Sequence, residues 1–156
     1  MIPTSSLTLL DPSLEILSFV IDKGKIKITV ANKRHSVICP TCLKPSSKRH
    51  SRYQRKIQDI PMEQKEVEII LLARKWFCLS PSCSTHIFTE RYSWISSKKR
   101  RTKRADDLLR KLAFSSSCLT AEKLSRHLGL PVSHDTLLNL IHQTPDSPEV
   151  SPFCRH

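Results

Sequence analysis

Four cysteines in two tight pairs carry the clearest chemistry in this chain: Cys39-Pro-Thr-Cys42 and Cys78-Leu-Ser-Pro-Ser-Cys83. Two residues separate the first pair and four the second, with 35 residues between the pairs. A tetrahedral zinc ion takes four soft ligands from two short loops that face each other, and this spacing supplies them. The predicted metal ligands are therefore Cys39, Cys42, Cys78 and Cys83, with Zn2+ as the cofactor. Four thiolates close the coordination sphere, which makes the expected role structural rather than catalytic. Pro40 and Pro81 sit inside the two loops, where tight turns are needed. His35, His50 and His86 lie close by, and each could replace a thiolate. The rival chemistries are disulfides, inert buried thiols and a thioredoxin-like redox pair. The last would want Cys39-Pro-Thr-Cys42 in a strand-to-helix setting, whereas the motif follows a strand-rich, basic segment.

The two loops must be brought together by the chain between them. A hairpin or small sheet is the expected device. Residues 14–21 and 25–31 read as strands around an Asp22-Lys23-Gly24 turn, with Ile26, Ile28 and Val30 alternating at period two. Residues 66–77 form a further strand, with Val67, Ile69, Leu71 and Ala73 on one face, running straight into Cys78. Trp76 and Phe77 are expected to pack around the metal, and Ile87-Phe88 to close over the small core.

Charge says what such a module would meet. The 156 residues carry 26 bases and 14 acids, for a net charge of +12. All of the excess lies in residues 31–104, with 18 bases against five acids. A concentrated positive stretch favours a polyanion, nucleic acid first. Lys98, Lys99, Arg100, Arg101, Lys103 and Arg104 fill a run of seven residues that reads as a connecting arm, and all six are expected to contact the DNA backbone. No stretch approaches the length of a membrane span, and Met1-Ile-Pro-Thr lacks the charged start of a signal peptide. The expected location is the cytoplasm, where paired cysteines bind metal more often than they form disulfides. Cys118 reads as a small buried side chain and Cys154 as an incidental tail thiol.

Three helices are expected beyond the arm. Ala105, Leu108, Leu109, Leu112 and Ala113 recur at helical spacing, with Asp106 and Asp107 near the start. A second helix is expected over 121–128, capped by Thr120, with Leu119 stapled to Leu124. Gly129-Leu-Pro-Val then turns, and Ser133 caps a third helix through about Gln143. The last two helices form a helix-turn-helix candidate. Leu137, Leu140 and Ile141 share the buried side of the third, and Asp135, Asn139 and His142 lie opposite. Ser133, Asp135, Thr136 and Asn139 are the expected DNA contacts on this helix, since asparagine can make two bonds to adenine. A three-helix protein-interaction bundle would share the same pattern.

Taken in order, these blocks resemble the N-terminal part of bacterial insertion-sequence transposases of the ISL-three family. The resemblance rests on Cys39-Pro-Thr-Cys42, Arg52-Tyr53 with Asp59-Ile60-Pro61, Arg74-Lys75-Trp76-Phe77-Cys78, Cys83, and Ile87-Phe88-Thr89-Glu90-Arg91. Arg100-Arg101-Thr102-Lys103-Arg104 and the stretch from Leu130 to Leu138 complete it. It implies zinc at the four cysteines and binding to the terminal inverted repeats of a mobile element. Family members continue into a catalytic domain with an acidic triad, and here Asp146 and Glu149 stand in a proline-rich tail instead. Two-metal strand transfer needs converging carboxylates. The expectation is thus a truncated, non-enzymatic DNA-binding front.

The expected architecture is α+β. A four-cysteine zinc-ribbon-like β module covers 1–95, a basic arm 96–104, a helix-turn-helix module 105–144 and a disordered tail 145–156. Double-stranded DNA is the expected partner. With only Gly24 and Gly129 there is no glycine-rich phosphate loop, and no small-molecule substrate is expected. Two non-enzymatic alternatives remain at this level, beside an active nuclease or recombinase that would require a downstream reading frame carrying the acidic residues. One is a zinc-dependent transcriptional regulator. The other is a protein-interaction module whose zinc unit joins two copies into a homodimer.

Overall fold

A computed structural model describes residue 7 and residues 9–145. The tail beyond Pro145, with Asp146, Glu149 and Cys154, lies outside the described residues. The architecture is α+β: a β-sheet module bearing the four cysteines, then three helices.

The main sheet has five strands. β1 (Leu14–Asp22), β2 (Lys25–Asn32), β6 (Lys65–Phe77) and β5 (Arg49–Met62) lie in that spatial order, and β7 (Ile87–Thr89) adds to the far end of β6. A separate two-stranded ribbon pairs β3 (Val37–Ile38) with β4 (Pro45–Ser46). The β1–β2 hairpin turns through Lys23 and Gly24, both at positive φ. β2 runs parallel to β6, with Ile26 opposite Val67 and Val30 opposite Leu71. A parallel neighbour needs a long crossover. Here the crossover is the first cysteine loop followed by β5. Ile26, Ile28, Val30, Val67, Ile69, Leu71 and Ala73 face one side and are buried beneath Leu7, Tyr92, Trp94 and Ile95. Full burial of each large aliphatic side chain contributes about 1.5–3 kcal/mol.

β5 is the largest departure from the sequence pattern, which predicts no strand over 49–62. It pairs antiparallel with β6 along its length and joins it through Glu63 and Gln64, both at positive φ. This two-residue hairpin loop matches the twist of its strands.

The helices are α1 (Lys103–Ser115), α2 (Cys118–His127) and α3 (His134–His142). Ala105, Leu109, Ala113, Cys118, Ala121, Leu130, Leu137 and Leu140 make their core, and Ile60 of β5 packs against it. α2 starts earlier than expected. Its cap is Ser117, whose hydroxyl accepts from the Thr120 amide, so Thr120 lies inside the first turn. The expected Leu119–Leu124 staple is not formed, and both side chains stand exposed. Ser133 caps α3 as expected, accepting from the Thr136 amide at 3.4 Å.

The run expected as a connecting arm is fixed to the sheet instead. The Gln58 amide donates to the Arg100 carbonyl and the Gln58 carbonyl accepts from Thr102. Thr102 is buried, caps α1 and donates its hydroxyl to Asp59 at 2.6 Å. Helix α1 therefore begins at Lys103, inside the segment expected to be arm. The turn between α2 and α3 also touches the sheet. At Gly129 (φ 84°) a β-carbon would come within 2.8 Å of the Gln64 carbonyl oxygen, and the Gln58 side chain donates to the Pro131 carbonyl.

Candidate metal centre and nucleic-acid surface

The first cysteine loop is a tight knuckle. The Leu43 amide donates to the Cys39 carbonyl and the Cys39 amide to the Lys44 carbonyl, while Leu43 takes a φ of 59°. The second is held where β6 ends: the Cys78 amide donates to His86, and Cys83 to Ser80. Thr41 and Thr85 join the two loops through their hydroxyls at 2.7 Å. The Ser46 hydroxyl donates to the Phe77 carbonyl and ties the β3–β4 ribbon to β6.

These contacts bring all four sulfurs within 4.8 Å of one another. Cys39 and Cys83 lie 3.9 Å apart and Cys42 and Cys78 3.5 Å apart. An ideal tetrahedron with zinc–sulfur bonds of about 2.3 Å has sulfur–sulfur edges of about 3.8 Å. The cluster therefore fits a tetrahedral metal ion, and among the described residues it is the one group of this kind. Amides stand ready for anionic sulfur. Those of Cys42 and Thr41 pull the Cys39 thiol down to about 6, against the opposing effect of burial. At Cys78 the Ser80 amide also lowers the value, but burial and the neighbouring Cys42, Cys39 and Cys83 sulfurs outweigh it and push the thiol up to about 12. Four crowded thiolates repel one another, which is the charge problem a divalent cation solves.

The nearby histidines are not part of the cluster. His35 and His86 are exposed, and His50 bonds Ser51 and packs edge-on against Phe77 at 4.8 Å. Trp76 is fully buried beside Cys39, Cys83 and Phe88, with the Arg74 guanidinium 5.2 Å from its ring. Phe77 is only half-buried, because the strand alternates and turns it toward His50 and Lys48. Arg74 bonds Glu90 at 3.0 Å and the Asn32 carbonyl, and Tyr92 donates to Glu90. Burial first, then the Glu90 carboxylate, raises the Tyr92 hydroxyl pKa. This buried set ties the cysteine end to the sheet.

The six bases of the 98–104 run divide into two groups. Arg101 pairs with Asp106 at 2.6 Å, and Arg104 makes a forked pair with the fully buried Asp59. The second pair holds α1 on β5, and the first closes over the start of α1. Lys98, Lys99, Arg100 and Lys103 are exposed. On α3, Asp135 and Asn139 are exposed, Thr136 is half-buried, and Ser133 is engaged as the cap. Two further exposed cations, Arg52 and Lys56, lie on β5, and Arg91 follows β7. Of these, Arg91 lines a cavity with Lys98 and Lys103, and Lys56 lines another with Arg100, placements that only the folded sheet creates and the sequence reading missed.

Residues 35–83 match the family model described as the zinc-finger of transposase IS204/IS1001/IS1096/IS1165. This segment is a zinc ribbon of the ISL-three transposase type. No curated protein and no solved structure matches the chain. Among the described residues, no helix is long and apolar enough to cross a membrane.

Proposed function

We infer that the chain is a DNA-binding module that recognises the terminal inverted repeats of a mobile element and acts by binding rather than by chemistry. The observation that carries this reading is the transposase-type zinc ribbon at 35–83 followed by a basic run with four exposed cations and three helices. Cys39, Cys42, Cys78 and Cys83 hold Zn2+, which fixes the two loops and gives the β module its rigidity. Lys98, Lys99, Arg100 and Lys103 supply attraction to phosphates, a role that positions without reading sequence. Helix α3 offers Asn139 and Thr136 to base edges, with Asp135 at the rim, and Ser133 contributes by setting the helix start. The buried carboxylates support a non-catalytic role. Asp59 and Glu90 are already bonded to Arg104 and Arg74, so neither is available to a catalytic metal.

The test is Asn139→Ala in the zinc-loaded chain. Loss of one bidentate base contact costs about 1–3 kcal/mol at the cognate site. The expected result is weaker binding to the inverted repeat with unchanged binding to a scrambled duplex. Equal loss on both duplexes would remove α3 as the reading helix.

A further inference from the structure

A cavity of about 810 Å³ runs between the first cysteine loop and the start of α1. Its lining includes Pro40 and Phe88 from the cysteine end, Tyr53 and Arg55 of β5, and Lys98 and Lys103. Arg91 opens into it from the residues after β7. The cavity is thus bounded by the zinc ribbon, the sheet and the helical module together.

Its charge is one-sided. Arg91, Lys98 and Lys103 are exposed and have no carboxylate partner among the described residues. Arg55 donates to the carbonyls of Lys99 (2.7 Å) and Ser96 (3.5 Å), bonds that leave its charge uncancelled. The one acid on the lining, Glu90, is buried and already bonded to Arg74 and Tyr92. The contact between Arg55 and Lys99 also shapes the wall. It pins the 96–100 segment against β5, where Lys98 sits at a φ of 65°. Four cations converge on an open groove with no counter-charge of their own.

We propose that this groove seats the sugar–phosphate backbone of one strand of duplex DNA, with Arg91, Lys98 and Lys103 each neutralising a phosphate. The proposal rests on the DNA-binding reading above and adds to it a place for Lys98 and Lys103 and one new contact, Arg91. All three lie outside the recognition helix α3, and Arg91 lies outside the basic run altogether. Because the groove spans both modules, backbone held there fixes how α3 meets the bases.

The experiment measures duplex affinity against salt for the full zinc-loaded chain and two triple variants. The groove variant carries Arg91→Gln, Lys98→Asn and Lys103→Gln; asparagine tolerates the left-handed backbone at Lys98. The control removes the same charge elsewhere, with Lys23→Gln, Lys33→Gln and Lys111→Gln. Circular dichroism and zinc content confirm that each is folded. Each phosphate contact contributes about 0.9 to the slope of log affinity against log salt. The groove variant is expected to lose about 2–3 from that slope and at least about tenfold in affinity at 0.1 M salt, with the control near wild type. If wild type binds and the two variants lose slope equally, or the groove variant loses none, the groove is not the seat. If wild type binds no duplex, both the proposal and the DNA-binding reading fall.

Discussion

Replacing Gly129 with alanine tests whether the helical module is docked on the sheet. Gly129 ends α2 at a φ of 84°, a left-handed conformation that costs an L-residue roughly 1–2 kcal/mol. A β-carbon there would also meet the Gln64 carbonyl oxygen at 2.8 Å, its carbon at 3.0 Å and the Lys65 carbon at 3.1 Å. These are backbone atoms of the β5–β6 turn, so no side chain can swing away. Overpacking of this kind adds about 1–3 kcal/mol. Gly24 is the internal control: its φ is 76°, but nothing lies within 4 Å of its added β-carbon. Gly24→Ala should therefore cost about 1 kcal/mol and Gly129→Ala about 3 kcal/mol. For a chain of this length the difference is about 6 °C in thermal midpoint. Thermal unfolding of the two zinc-loaded variants, followed by circular dichroism, reads it directly. Equal destabilisation would refute the close approach of the helix turn to the hairpin.

Three further perturbations probe other joints of the structure. Cys78→Ser removes one of four ligands; it should release zinc and unfold residues 35–90, seen as lost near-UV signal and lost metal, since zinc binding supplies on the order of 10–16 kcal/mol in zinc-finger peptides. An unchanged spectrum with zinc retained would contradict the site. Asp59→Asn removes the buried charge that Arg104 forks onto and should cost about 3 kcal/mol by urea unfolding; a cost under about 1 kcal/mol would mean the pair does not anchor α1. Ser117→Ala should cost about 1 kcal/mol and Thr120→Ala much less, because the structure assigns the cap of α2 to Ser117; the reverse order would restore Thr120 as the cap.

Elements with clean periodicity were readable from the residues alone. β2 alternates Ile26, Ile28 and Val30, and β6 alternates Val67 to Ala73, so both emerged with nearly their observed limits. The cysteine loops were legible because ligand spacing is a local property. β5 was not. Its inward face carries Ser51, Tyr53, Arg55, Ile57 and Asp59, so polar residues stand where alternation would need apolar ones. Those polar residues are the ones that meet α1 and the 96–100 segment: Asp59 binds Thr102 and Arg104, and Arg55 binds Lys99. A strand that serves as an interface for another module hides its period. For the same reason the basic run looked like an arm. Nothing local says that Arg101 and Arg104 are paired with Asp106 and Asp59, the latter far away in sequence. The parallel pairing of β2 with β6 is equally non-local, since its crossover contains a cysteine loop and a whole strand.

Sequence-specific DNA binding requires the zinc ribbon and the helix module to act as one body. Its most direct test is the affinity of the zinc-loaded chain for the inverted repeat flanking its own coding region, against a scrambled duplex of equal length, across salt. Specific sites typically exceed non-specific DNA by about 10³-fold or more, and a gap of that size at physiological salt is the predicted result. Equal, steeply salt-dependent affinity for both duplexes would contradict it and leave only the exposed cations acting on DNA.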